Sequence, residues 1–207
     1  MSKNRLQRNR PNGEAFFGLM VCAIFFAAGV VMGTFSARSL DLTETLALYT
    51  SISAYINQIA DGTYVSPGFL SVLWLTGRYH LLALFLGFSL LGVLCLPVLA
   101  GVQGFYLSFS IAAFIRAFGA EGWPLAFSLF GIGALITIPC FFLLSTQAFA
   151  TSAQLGRGVW EGKVQLRTLC HRGYIIRTAI CFVGILAAVL IELHVTPVLV
   201  AWLNTFS

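Results

Sequence analysis

Long apolar runs leave this chain few options. The stretches Ala15 to about Phe35, Leu81 to Val102, Phe105 to Phe118, Pro124 to Ala150 and Tyr174 to Leu203 are almost free of charge. A helix of about 20 apolar residues crosses the roughly 30 Å of hydrocarbon in a bilayer, and it satisfies its backbone polar groups from within. The pattern therefore predicts an all-α, polytopic helical membrane protein with about five transmembrane helices. The Phe105 to Phe118 run is short, and extending it back through Gly101 and Gly104 predicts a tight turn between the second and third helices. The last run is long enough to tilt, or to break at Pro197.

Composition excludes a water-soluble fold. Of 207 residues 58% are hydrophobic and 9% charged, against about a quarter charged in a soluble domain. Nineteen phenylalanines suit a lipid-facing surface, and twenty glycines suit close helix packing. The net charge of +5 raises the question of nucleic acid, but nine of the twelve basic residues fall in two places. Lys3, Arg5, Arg8 and Arg10 precede the first run, and Arg157, Lys163, Arg167, Arg172 and Arg177 flank the last. That is a topology signal, and no nucleic-acid partner is expected.

The charge distribution sets an expected layout. Residues 1–14 form a cytoplasmic basic N-terminus, 15–36 the first transmembrane helix, and 37–80 an external segment. Residues 81–150 hold helices two to four, 151–173 a cytoplasmic basic loop, 174–203 the fifth helix, and 204–207 an external C-terminus. Arg38, Arg78 and Arg116 then lie outside or at the outer boundary, with Asp41, Glu44, Asp61 and Glu121 on the same external face. The first run also resembles a signal peptide, with small residues at Ser36 and Ala37, but it is long for an h-region and reads as an uncleaved anchor. A multi-pass protein of a bacterial cell membrane is expected, with membrane lipid around it.

In the external segment Leu42, Leu46, Tyr49, Ile52, Ile56 and Ile59 recur at steps of three and four. They predict an amphipathic helix, started by Asp41 and Glu44 and ended by Asp61-Gly62. Its stripe either packs on the membrane domain or docks a partner, in which case Leu46, Tyr49, Ile52 and Ile56 are the contact candidates. Gly68 to Leu75 is a second apolar stretch, too short to cross, and reads as interfacial or re-entrant.

Catalytic apparatus is hard to find. Gly87-Phe88-Ser89-Leu90 resembles the serine motif of intramembrane rhomboid proteases, with His194 on a later helix, but the following glycine is missing. His80, His171 and His194 lie in separate segments without metal-ligand spacing. Cys22, Cys95, Cys140, Cys170 and Cys181 form no C-x-x-C pair and read as small hydrophobes. No catalytic residue, cofactor or metal is therefore expected, and the protein reads as a non-enzyme. Arg116, Glu192 and His194 are ionisable residues near one end of their spans; they suit snorkelling or ion pairing, or a polar site in a small-solute transporter subunit. Gly87, Gly92, Pro97, Gly101, Gly104 and Pro139 suit close, bent helix packing, an irregularity that transporters also use.

One stretch carries a specific resemblance. Leu81-Leu82-Ala83-Leu84-Phe85-Leu86-Gly87-Phe88-Ser89-Leu90-Leu91-Gly92 runs on to Leu96-Pro97. It is followed by Gly104-Phe105-Tyr106-Leu107-Ser108-Phe109, by Gly119 and Gly122-Trp123, and by Ile138-Pro139. This order resembles the stage II sporulation protein M family, with its G-x-S-x-x-G-x-P-like helix, G-F-x-x-G-F-like helix start and proline-bearing later helix. In place of the expected second glycine stands Leu107-Ser108-Phe109, and Gly131-Ile132-Gly133-Ala134 replaces a polar, proline-containing stretch. The resemblance implies a non-enzymatic scaffold in endospore formation. Its expected role is in engulfment, anchoring the peptidoglycan-degrading stage II sporulation proteins D and P. Homo-oligomers are a further possibility.

Overall fold

The computed structural model describes residues 10–119, 122–160 and 172–204. Lys3, Arg5, Arg8, Glu121, Lys163, Arg167, Cys170, His171 and most of the expected C-terminal segment 204–207 lie outside them. Among the described residues every regular element is helical: α1 (Arg10–Arg38), α2 (Leu42–Ala60), α3 (Phe69–Gly87), α4 (Gly92–Phe118), α5 (Gly122–Ala126), a π-helical turn (Phe127–Gly131), α6 (Ile132–Trp160) and α7 (Arg172–Asn204). Five helices are long and apolar enough to cross a bilayer: Gly13–Arg38, Phe69–Gly87, Gly92–Phe118, the continuous rod Gly122–Trp160, and Gly173–Trp202. The protein is a multi-pass membrane protein.

The number of spans matches the expectation, but the second and third are divided elsewhere. The apolar stretch from Gly68 is the first half of a spanning helix, and the segment expected outside shrinks to the residues before Phe69. The turn falls at residues 88–91, while Gly101 and Gly104 lie inside α4. The misreading has a physical cause. Arg78-Tyr79-His80 makes a polar dip that resembles a membrane boundary, whereas the true turn, Phe88-Ser89-Leu90-Leu91, is nearly as apolar as the helices it joins. Two further runs lengthen: α6 continues to Trp160, into the segment expected as a loop, and α7 passes through Pro197 without ending.

Contacts fix the direction of each helix. At the end where α1 begins, here called proximal, Arg157 of α6 pairs with Glu14. At that end also, Ser152 holds the α3–α4 turn, and Phe88 meets Tyr174 of α7 edge-on at 5.8 Å. At the distal end Arg116 of α4 reaches the last carbonyls of α1. The spans therefore alternate, and α7 finishes at the end opposite the start of α1. α6 is central, packing on α1, α3, α4 and α7. Its Phe141, Ala148 and Phe149 form the core with Cys22, Ala83, Leu96 and Ala100. Phe16, Phe35, Phe85 and Val183 point outward, as a hydrocarbon solvent allows.

The rod Gly122–Trp160 has 39 residues and so a length of about 58 Å, well beyond one bilayer thickness. Its π-helical turn places the Phe127 ring where a side chain on Gly131 would stand, and the Ser128 hydroxyl donates to the Pro124 carbonyl at 2.9 Å. α2 forms where its pattern predicts. The Glu44 carboxylate accepts the Asp41 N–H at 3.1 Å, closing the helix start, and Gly62 takes φ 66° beyond its end.

Candidate functional site

The residues of the α3–α4 turn are held in place by α6. The Ser152 hydroxyl donates to the Ser89 carbonyl at 2.6 Å and accepts the Val93 N–H at 3.1 Å, satisfying a donor that the start of α4 leaves open. Gly87 lies against the Ala148 backbone, where a Cβ would come to 2.8 Å of its Cα, and a Cβ on Gly92 would overlap the Leu86 carbonyl. Ser89 is thereby part of a turn at the proximal end, while His194 lies on the distal part of α7, exposed and bonded to its own Leu190 carbonyl at 3.2 Å. A serine and its base must meet within hydrogen-bond reach, and these two stand far apart.

The α1–α4 contact is the most extensive among the described residues. Cβ atoms on Gly29 and Gly104 would overlap the carbonyls of Gly101 and Phe26, and Gly33 faces Phe105 and Ser108 in the same way. Gly29-Val30-Val31-Met32-Gly33 is the small-xxx-small spacing that lets helix backbones touch. This half of the interface is legible in the sequence as a G-x-x-x-G and supplies the partner for Gly101 and Gly104. Pro97 is buried in α4, and Pro139 lies on the outer side of α6.

At the distal end the ionisable residues serve separate partners. Arg116 donates to the carbonyls of Ala37, Arg38 and Leu40, a cation on the negative end of α1. Glu192 accepts the Thr76 hydroxyl at 3.2 Å, tying α7 to α3. Among the described contacts none joins Arg116, Glu192 and His194 into one site. α2 lies across this end. Its Tyr49 ring sits 4.9 Å from Phe118, and Tyr55 packs edge-on to Tyr64 at 5.3 Å. Burial pushes the Tyr55 hydroxyl well above its ordinary pKa, helped by Tyr64 and by the charge of Glu192. Of the predicted contact stripe, Ile56 is buried and Ile52 half-buried, while Leu46 is 61% and Tyr49 43% exposed. The stripe therefore divides: Ile52 and Ile56 are covered, Tyr49 lies against Phe118 with part of its ring exposed, and Leu42 and Leu46 remain open.

Residues 22–197 match the family described as Stage II sporulation protein M. The chain belongs to that family. No curated protein and no solved structure matches it. In this family member the motif-bearing segments, Gly87 to Pro97 and the start at Gly104-Phe105, are the ones that α6 and α1 grip.

Midway along α3 stand two polar residues that hydropathy would place at a membrane boundary. His80 is 2% exposed, with Nδ1 3.2 Å from the Thr76 carbonyl and Nε2 3.0 Å from the Thr137 carbonyl of α6. Both partners are acceptors, and a neutral imidazole donates to one of them at a time. Arg78 is two residues away and faces outward. Its recorded polar contact is with its neighbour: Nη2 donates to the Tyr79 hydroxyl at 3.2 Å, and the guanidinium lies 4.9 Å from the Tyr79 ring centre. Arg78 stands two residues beyond Thr76, about 3 Å further along α3. A chain of ring contacts, His80 to Phe141, Phe141 to Phe142 and Phe142 to Phe26, runs from its level to the middle of α1. No group of three or more metal-ligating side chains occurs among the described residues.

Proposed function

We propose that this family member is a non-enzymatic membrane scaffold of endospore formation. In engulfment it holds peptidoglycan-degrading partners at the membrane, in the manner the family resemblance implies for stage II sporulation proteins D and P. The observation that carries the reading is the family match across residues 22–197. A scaffold also needs exposed contact surface, and α2 offers Leu42 and Leu46, with the open edge of Tyr49 beside them. The basic residues at the proximal end favour placing that end in the cytoplasm, and hence α2 outside, with the wall that the hydrolases degrade.

Deletion of the gene should stop the engulfing membrane while the purified hydrolases keep their activity on peptidoglycan. A deletion strain that completes engulfment at the normal rate refutes the reading. Orientation is tested by cysteine labelling in whole cells. Ser51→Cys should react with an impermeant maleimide and Lys163→Cys should not; the reverse pattern overturns the topology.

A further inference from the structure

We propose that the groove between α1 and α4 at the distal end binds an anionic phospholipid, with the lipid phosphate held by Arg38 and Arg116 and an acyl chain lying along the two helices below them.

The groove has a volume of about 540 Å³ and is lined by residues of both helices and by Trp123 of α5. Val30 and Leu107 mark its inner limit, and Arg38 and Arg116 its mouth. Eight residues of α1 and nine of α4 separate the two levels, about 12 Å of helix. The mouth lies at the membrane surface. The spans of α1 and α4 have 26 and 27 residues, about 40 Å each, and the hydrocarbon is about 30 Å thick. Arg38 is the last residue of its span, Arg116 lies within the last turn of the other, and both are exposed. A wall of about 12 Å below that level covers most of one leaflet, whose hydrocarbon is about 15 Å deep.

The wall is apolar in effect. Its hydroxyls are turned back onto their own helices: Thr34 donates to the Val30 carbonyl at 2.9 Å and Ser108 to the Phe105 carbonyl at 3.1 Å. Ala112, with no more than a methyl group, leaves width for a chain. The mouth has the opposite character. Three of the five N–H groups of Arg116 go to the carbonyls of Ala37, Arg38 and Leu40, which leaves its Nε–H and one Nη2–H without a recorded acceptor. The recorded contact of the Arg38 guanidinium is the Phe35 ring, at 5.7 Å. Among the described residues neither arginine forms an ion pair; Asp41 and Glu44 stay beyond that distance, and the recorded pair, Arg157 with Glu14, is at the other end.

Two positive charges above an apolar wall decide the occupant. A free phosphate would satisfy the guanidinium groups and leave the wall bare. A lipid without net charge would fill the wall and leave the mouth positive. An anionic phospholipid does both, and its phosphate oxygens match the guanidinium fork. Trp123 is of a residue type enriched at this level of the membrane. The site makes no use of the α2 stripe, so it stands apart from the scaffold role.

The test uses the full-length chain in nanodiscs, with Trp74, Trp160 and Trp202 changed to phenylalanine so that Trp123 reports alone. Phosphatidylglycerol brominated on its acyl chains should quench Trp123, with a relative association constant about ten-fold above that of brominated phosphatidylcholine. Arg38→Gln leaves the contacts of Arg116 to α1 in place and should cut that preference about five-fold, while Arg38→Lys should keep most of it. Ala112→Phe should remove the preference by filling the groove, with the circular dichroism unchanged. Glycerol phosphate at millimolar concentration should not displace the lipid. Equal association of the two lipids, a preference untouched by Arg38→Gln, or displacement by glycerol phosphate would each overturn the proposal. So would a preference that emerges only with Glu121→Gln, because Arg116 would then be neutralised from within the chain. In native membranes a benzophenone side chain at Ile111 should link to phospholipid; a link to a protein helix there defeats the lipid site.

Discussion

Replacing Gly104 by alanine tests whether the α1–α4 contact is set by glycine. The new Cβ would overlap the Phe26 carbonyl and come to 3.2 Å of the Phe26 ring. A helix carbonyl cannot swing away, so α1 and α4 must separate, and overpacking of this kind costs about 1–3 kcal/mol. Alanine returns up to about 1 kcal/mol through its better helix propensity, leaving a net loss of about 1 kcal/mol. Gly133→Ala is the internal control, because a Cβ there meets nothing within 4 Å; it should gain about 0.5–1 kcal/mol. The two variants should then differ by about 2 kcal/mol, a factor of roughly 30 in the unfolding equilibrium. Reversible unfolding of the purified protein in mixed micelles, followed by circular dichroism, measures that difference. Because Gly29 faces Gly101 in the same interface, the double variant with Gly29→Ala should cost less than the sum of the two single ones once the helices have parted. Equal stability of Gly104→Ala and Gly133→Ala would refute the packing argument.

Three further outcomes follow from the polar contacts. Ser152→Ala strips the Val93 N–H and the Ser89 carbonyl of their partner and should cost about 1–3 kcal/mol, with faster hydrogen exchange confined to the α3–α4 turn; Ser152→Thr should restore part of it. Arg116→Leu removes the cap on the distal end of α1 and should speed exchange at residues 37–40, with a loss of about 0.5–2 kcal/mol. Arg116→Lys should recover part of that loss, and unchanged exchange in the leucine variant would show the contacts to be idle. Burial of Tyr55 on the inner side of α2 raises its hydroxyl, so its native pKa lies above the value of about 10 expected in the unfolded chain. The stabilisation it contributes is full below pH 10 and falls as pH rises above it. Protease release of α2 should therefore increase with pH above 10 in the wild type and increase less in Tyr55→Phe; identical pH profiles would contradict the burial.

The amphipathic segment and the polar residues midway along α3 show how far the sequence reaches. The period of Leu42, Leu46, Tyr49, Ile52, Ile56 and Ile59 gives α2 and both its ends, because helix period and capping are local properties. It does not reveal that Ile56 is buried and Tyr49 lies against Phe118 while Leu46 stays open, since that depends on where Phe118 and Tyr64 arrive. Hydropathy places Arg78 and His80 at the edge of a span because it sums residues without regard to partners. His80 is tolerated inside because Thr137, 57 residues away, offers its carbonyl.

By itself the sequence determined that the protein is helical, lives in a membrane and crosses it with five helices, and it carried the family's motif. These follow from the length and charge of each run, which the bilayer reads one segment at a time. The tertiary structure decided which glycines are filled, where the second span turns, and that Arg116 and Glu192 serve different neighbours. Those facts depend on pairs of residues remote in the chain, and in a medium where every helix is apolar only close contact distinguishes one neighbour from another.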